Sequence, residues 1–284
     1  MVNDKLQHSE GFFSGASGRQ IYHQCWSPTG APRGILLLVH GAGEHSARYA
    51  DLAACCVERG WVVAALDHHG HGRSEGTPGD MPDFADFAAD VHTLHTLVRG
   101  EFPGIPSVLL GHSLGGLIAC HYLLDYPGEV LAAALSGPLI KTPQDPGKLE
   151  RLAISLLAAL LPKLGMVALD ASGVSRDAAV VSAYVSDPLV YHGKMRARQL
   201  REMFAAMDVI AARAPEINVP LLIMHGGADS MTDPVGSKLL HGWVGSQDKT
   251  LTIYPGLYHE IFNEPEKDEV LASTLDWCES RLAG

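Results

Sequence analysis

The chain has 284 residues, 46 % of them apolar, and a formal net charge of −11. This composition allows a sizeable buried core and, with no Lys/Arg cluster to track phosphates, excludes nucleic acid as the natural partner. The most apolar run, Leu152 to Leu161, stops at Pro162-Lys163, well short of the ~18 to 20 residues of a membrane span. Residues 1–8 lack the apolar stretch of a secretory leader, and the five cysteines (Cys25, Cys55, Cys56, Cys120, Cys278) show neither metal-ligand nor disulfide spacing. The expectation is a cytoplasmic protein that touches membranes only at their surface.

After the Gly-rich turn Ser14-Gly15-Ala16-Ser17-Gly18, Arg19 to Trp26 reads as an early strand. Gly34 to Val39 is a continuous apolar run, the mark of a strand buried on both faces. Tyr49 to Arg59 has helical periodicity and stops at Gly60. Trp61 to Leu66 then returns as a strand, Phe84 to Val98 as a helix, Ser107 to Leu110 as a strand, Leu117 to Leu124 as a helix and Val130 to Leu135 as a strand. Such alternation implies right-handed crossovers and a mostly parallel sheet with helices on both faces.

From Leu139 to Ala214 the pattern breaks into helical segments and loops with no convincing strand. It resumes as a strand at Val219 to Met224, a helix at Val235 to Trp243, a strand at Thr250 to Tyr254 and a helix at Glu264 to Leu282. An insertion between two strands, on their carboxyl side, lies over the crevice where such sheets bind ligands. Residues 139–214 are therefore expected to cap a single body built from residues 1–138 and 215–284.

The most informative stretch is Gly111-His112-Ser113-Leu114-Gly115, a G-x-S-x-G nucleophile elbow with a strand before it and a helix after it. That sharp turn lifts the serine hydroxyl clear of the sheet, and it points to a serine hydrolase. The hydroxyl needs a base, and the base needs an orienting carboxylate, in the chain order Ser, acid, His. Asp229 follows directly on a predicted strand. Asp233 competes with it, although Asp233-Pro234 has the form of a helix N-cap. Of the 15 histidines, His259 alone sits in the loop after the last strand. Candidate oxyanion donors are the backbone N–H of Leu114 and, in His40-Gly41-Ala42-Gly43, that of Ala42. The run Asp67-His68-His69-Gly70-His71 lacks the downstream acid and histidine of a binuclear centre. No metal and no cofactor are expected.

These residues resemble the monoacylglycerol lipase and lysophospholipase family of α/β-hydrolases. The likeness runs from about Arg19 to Leu282 through His40 to Tyr49, Asp67 to Gly76, Gly111 to Gly116, Ser186-Asp187-Pro188-Leu189 and Tyr258-His259. It implies an α/β-hydrolase fold with a helical cap inserted after the sixth strand. It further implies Ser113, Asp229 and His259 as a triad, Ala42 and Leu114 as oxyanion donors, and Glu44, Arg48 and Tyr184 as head-group contacts for a single-chain glycerol ester. Each of these three has a plainer role open to it: a loop-stabilising bond, an ion pair and a packing contact. Phe262 stands where some members carry a second histidine that helps recognise glycerol.

Within the cap, Leu149, Leu152, Leu156 and Leu160 give the helix from Lys148 an apolar face wider than packing on the body requires. They are expected to be buried, or to line an acyl tunnel and rest on a membrane or micelle. The implied activity is hydrolysis of monoacylglycerol to fatty acid and glycerol. A lysophospholipase, a general carboxylesterase, a cofactor-free haloperoxidase or perhydrolase, and a ligand-binding receptor on the same scaffold are the alternatives.

Overall fold

Four six-residue runs, Gly34–Val39, Trp61–Leu66, Ser107–His112 and Leu221–Gly226, are buried along their whole length, as strands covered on both faces must be. In the computed structural model, which describes residues 6–282, they are β3, β4, β5 and β9 of ten strands. The others are β1 (Leu6–Ser14), β2 (Gln20–Pro28), β6 (Ala132–Ser136), β7 (Gly165–Val167), β8 (Met195–Arg196) and β10 (Lys249–Tyr254). Residues 1–5, on which most of the leader argument rests, lie outside the described residues.

Eight strands form one sheet in the order β1-β2-β4-β3-β5-β6-β9-β10. From β4 to β10 every pairing is parallel, and β2 runs antiparallel to both of its neighbours. The helices are α1 (Ala50–Glu58), α2 (Ala85–Glu101), α3 (Leu114–Asp125), α4 (Lys148–Leu160), α5 (Ala178–Ser186), α6 (Ala197–Arg213), α7 (Pro234–Trp243) and α8 (Lys267–Leu282).

Side chains alternate across a strand, and β3 shows the result. Ile35, Leu37 and Val39 pack with Phe87 and Leu94 of α2 and Leu117 of α3, while Leu36 and Leu38 pack with Leu52 of α1 and Leu275 of α8. This is the predicted parallel sheet covered on both faces.

Three features depart from the expectation. The sheet begins one strand earlier, at β1, whose largely exposed sequence LQHSEGFFS carries no apolar alternation and is held by its backbone ladder to β2. The insertion contains a short antiparallel pair, β7 with β8. Its last helix, α6, packs Met203, Ala206, Met207 and Ile210 into the core beside α2 and α3, so that end of the insertion is anchored in the body. The helix α4 is anchored differently. It rests on α6 through Arg151, which bonds Asp208 at 2.8 Å and stacks 4.8 Å over Phe204. Within α4 only Ala158 is buried, while Leu149 is 83 % and Leu160 77 % exposed. Among the described residues no helix is long and apolar enough to cross a membrane.

The body also buries many imidazoles. Burial pushes His69, His95 and His112 down to about 4 and His71 to about 3. An unfolded histidine takes its proton near 6.5, so between 6.5 and 4 the unfolded chain binds more protons than the folded one. Stability from these groups is therefore complete above about pH 6.5 and lost as pH falls toward 4, by up to about 1.4 kcal/mol per pH unit for each group. Thermal unfolding followed from pH 8 to 4.5 is expected to show Tm level at first and then falling below about 6.5; a Tm unchanged down to pH 5 would falsify this account.

Candidate active site

At the junction of β5 and α3 the chain must turn from strand to helix within one residue, and Ser113 makes that turn. Its φ is 55° and ψ −118°, and among the described residues it is the one non-glycine with positive φ. Such a conformation costs about 1–3 kcal/mol and persists only when its surroundings enforce it. Here the Ser113 N–H donates to the Ser136 carbonyl at 2.9 Å, and the Ser113 carbonyl accepts the Leu139 N–H at 3.0 Å. Both partners belong to β6 and the segment leaving it. The turn also brings two backbones together: a Cβ on Gly115 would lie 2.0 Å from the Val39 carbonyl oxygen, so only glycine fits.

Ser113 and His259 line one cavity, together with Ala42, Glu44, His112 and Tyr184. His259, in the loop after β10, donates from Nδ1 to Asp229 Oδ2 at 2.6 Å. Asp229 stands after β9, with its carboxylate inaccessible to solvent. Its Oδ1 accepts the backbone N–H of Met231 at 2.7 Å and of Thr232 at 3.0 Å. Burial opposes ionisation of Asp229, but His259, His225 and these amides outweigh it and hold the carboxyl well below its usual range. Burial likewise disfavours the charged form of His259, and the carboxylate overrides it, so this imidazole is shifted upward. His112 lies against it, ring centroids 4.7 Å apart. Burial and the neighbouring His259 push His112 down to about 4, which keeps it neutral. The competitor Asp233 is occupied elsewhere: it caps α7 through Val235 N–H at 2.9 Å and pairs with Lys141 at 2.9 Å.

The candidate oxyanion donors have defined directions. Leu114 opens α3, so its N–H has no carbonyl partner within the helix. The Ala42 N–H belongs to the Gly41–Ala42 peptide, whose carbonyl accepts from His40 Nδ1 at 2.7 Å. His40 must be protonated on Nδ1, because its Nε2 accepts the His68 backbone N–H at 3.0 Å. In a trans peptide the N–H points opposite to the carbonyl. Anchoring one end to His40 therefore aims the other away from it.

Glu44 and Arg48, four residues apart, are brought to Tyr184 in a way no sequence spacing signals. Glu44 accepts Gly41 N–H at 2.6 Å, the Tyr49 hydroxyl at 2.8 Å and Arg48 at 2.6 Å. Burial opposes its charge, but Arg48, His112 and His40 win and lower it to about 2. Arg48 also grips both oxygens of Glu260, at 2.7 and 2.8 Å, and lies 4.7 Å over the Tyr184 ring. Its guanidinium is thus engaged, and Arg48 does not line the cavity, whereas Glu44, Tyr184 and Glu260 do. Phe262 is buried in the core beyond the cavity.

Leu149, Leu152, Leu156 and Leu160 do not line the cavity either; they face solvent. Its apolar wall comes instead from Leu139, Leu169, Val174, Met195, Met203 and Met231, residues that sequence periodicity does not single out. Glu260 has one sequence signal, its place beside His259. His45 bonds Asp187 at 2.9 Å, which ties the loop after β3 to the insertion.

Comparison with known proteins shows the family. Residues 30–266 match the Hydrolase_4 family, described as serine aminopeptidase, S33. The chain is 40 % identical over 274 residues to a monoacylglycerol lipase of Mycolicibacterium smegmatis, covering 96 % of this chain and 98 % of the relative. It is 35 % identical over 271 residues to the monoglyceride lipase of Homo sapiens, covering 94 % of this chain and 89 % of the relative. The crystal structure of Paleococcus ferrophilus monoacylglycerol lipase has a TM-score of 0.81 at 29 % identity, with 98 % of this chain and 99 % of that chain covered. The sheet and its flanking helices are those of the α/β-hydrolase fold, and the chain belongs to the Hydrolase_4 family, within the monoacylglycerol lipase group that its motifs resemble.

Proposed function

We propose that this protein hydrolyses monoacylglycerols to fatty acid and glycerol, with Ser113 as nucleophile, His259 as general base and acid, and Asp229 as the orienting carboxylate. The observation that carries the reading is the 2.6 Å bond from His259 Nδ1 to a buried Asp229, in one cavity with the strained Ser113. His259 Nε2 takes the Ser113 proton as the hydroxyl oxygen attacks the ester carbonyl. The negative charge that forms on the carbonyl oxygen meets the N–H groups of Ala42 and Leu114. Collapse breaks the ester bond, His259 protonates the departing glycerol oxygen, and the acyl group stays on Ser113. Water then attacks the acyl carbon and gives a proton to His259, and the fatty acid leaves as Ser113 recovers its hydrogen. No cofactor takes part.

Residues 139–214 serve as the cap over this site in our reading. The head-group end favours an uncharged alcohol. Two acidic residues, Glu44 and Glu260, line the cavity, while the one arginine that pairs with both does not. A phosphate brought there meets net negative charge at short range, which supports monoacylglycerol over lysophospholipid. Glu44, Arg48 and Tyr184 are assigned to this end, Arg48 acting by holding the two carboxylates. At the other end, the solvent-facing Leu149, Leu152, Leu156 and Leu160 are suited to resting on a membrane or micelle. A cytoplasmic enzyme in transient contact with lipid surfaces follows.

Three outcomes are expected. Ser113→Ala should fold normally yet lose about 10⁴-fold or more in ester turnover, and a serine-directed phosphonate should label wild type but not the variant; a variant that keeps near-normal turnover removes the nucleophile assignment. At equal acyl chain, monoacylglycerol should exceed lysophosphatidic acid in kcat/KM by about tenfold or more, and the reverse order rejects the neutral-alcohol site. Replacing both Leu156 and Leu160 with glutamate should impair turnover of micellar or vesicle-borne lipid while sparing a short water-soluble ester. Equal losses on the two substrates would mean that these leucines stabilise the fold instead.

A further inference from the structure

A second histidine reaches the carboxylate assigned to the triad. His225, near the end of β9, is fully buried, and its Nε2 lies 3.1 Å from Asp229 Oδ2, the same oxygen that His259 uses. On the opposite side of the ring, Nδ1 is 2.6 Å from the hydroxyl of Ser237 in α7, also fully buried. An ionised carboxylate only accepts hydrogen bonds, so His225 Nε2 must carry the proton, and Nδ1 accepts from the Ser237 O–H. The tautomer is therefore fixed from both ends.

Counting donors shows what this contact does. Each carboxylate oxygen offers about two lone pairs. On Asp229 Oδ1 they accept the N–H groups of Met231 and Thr232. Oδ2 accepts His259 Nδ1, and His225 Nε2 stands 3.1 Å from it. The Thr232 hydroxyl lies 2.9 Å from the same oxygen, 3.1 Å from the Gly137 carbonyl and 3.2 Å from His225 Nε2. Of the groups around Oδ2, His225 and Thr232 take no part in proton transfer, and His225 is the one of the two held on its far side by a second buried side chain, Ser237.

We propose that His225, held by Ser237, is a positioning residue for the reaction: it fixes Asp229 in the plane that His259 needs and limits how strongly the carboxylate favours the protonated form of His259. The proposal rests on the triad reading above. The charged and titratable groups that face His259 are Asp229, its chain neighbour Glu260, Glu44 from the loop after β3 and His112 at the end of β5. Those around His225 are Asp229 and, from the start of α7, Asp233, itself paired with Lys141. Substitution of His225 leaves all of these in place and removes one donor from the carboxylate.

The sign of the effect follows. With one donor fewer, the charge on Asp229 is less dispersed and holds a proton on His259 more tightly. The acidic limb of the kcat/KM profile then moves to higher pH. The shift is about one unit, the size expected when a hydrogen bond to a charged group is lost.

The test is a pH–rate profile for His225→Leu, His225→Gln and Ser237→Ala, using a short soluble ester, with Ser113→Ala alongside. His225→Leu is expected to raise the acidic limb by about one unit and to lower kcat by about tenfold to a hundredfold, with KM little changed. His225→Gln keeps an N–H donor and should recover part of both effects, while Ser237→Ala should move the limb in the same direction by less. An unmoved limb in His225→Leu, or equal damage in the Leu and Gln variants without a shift, overturns the proposal. Should His225→Leu fail to fold, the limb positions in His225→Gln and Ser237→Ala decide: an unshifted Ser237→Ala profile overturns it. A Ser113→Ala enzyme that still turns over the ester sinks the triad reading, whereas an inactive Ser113→Ala control beside an unmoved His225→Leu profile sinks only the role given to His225.

Discussion

The site is built around a backbone conformation that the chain adopts nowhere else among its described non-glycine residues. Ser113 stands at φ 55° because strands on both sides of β5 leave it no alternative. The Ser136 carbonyl of β6 receives its amide, and the approach of Gly115 to Val39 of β3 closes the turn. Strain of this kind is stable only on a rigid support. The fully buried parallel strands supply that support. Loosening either neighbouring strand lets the serine relax, and the hydroxyl drops back toward the sheet.

Around that point, three segments distant in sequence are locked together by ionic and hydrogen-bonded contacts. Arg48 joins Glu44 from the loop after β3 to Glu260 from the loop after β10, and Tyr184 of α5 covers its guanidinium. Burying three charges is costly in isolation, and removing one partner from such a group is typically more destabilising than the group is stabilising. What the arrangement achieves is registration. The loop after β3, the loop after β10 and α5 cannot shift independently, since His45 also bonds Asp187 and the Tyr191 N–H donates to the Gly43 carbonyl at 2.7 Å.

Much of this was legible in the residues. Short continuous apolar runs such as Gly34 to Val39 read as strands covered on both faces, and their alternation with helical periods leads directly to the parallel sheet. Gly111 to Gly115 announces the elbow, and Asp229 and His259 stand where loops leave the carboxyl ends of strands. What stayed hidden has physical causes. β1 is a mostly exposed edge strand held by its backbone, which leaves no side-chain pattern. The leucines of α4 reveal the width of an apolar face, yet a period of 3.6 says nothing about whether that face turns to the body or to water. Arg48 and Glu260 are 212 positions apart, and His225 lies inside a buried strand end, where any residue that packs would look equally suitable.

The two carboxylates that share one arginine have a further consequence for the direction of traffic through the cavity. An ester arrives without charge and is indifferent to Glu44 and Glu260. On the proposed reading, hydrolysis creates a fatty acid anion within their field, in a buried site where repulsion between like charges is weakly screened. The product is therefore less welcome than the molecule it came from. Expulsion becomes an electrostatic by-product of the chemistry itself, and it discourages both lingering of the carboxylate and reversal of the reaction.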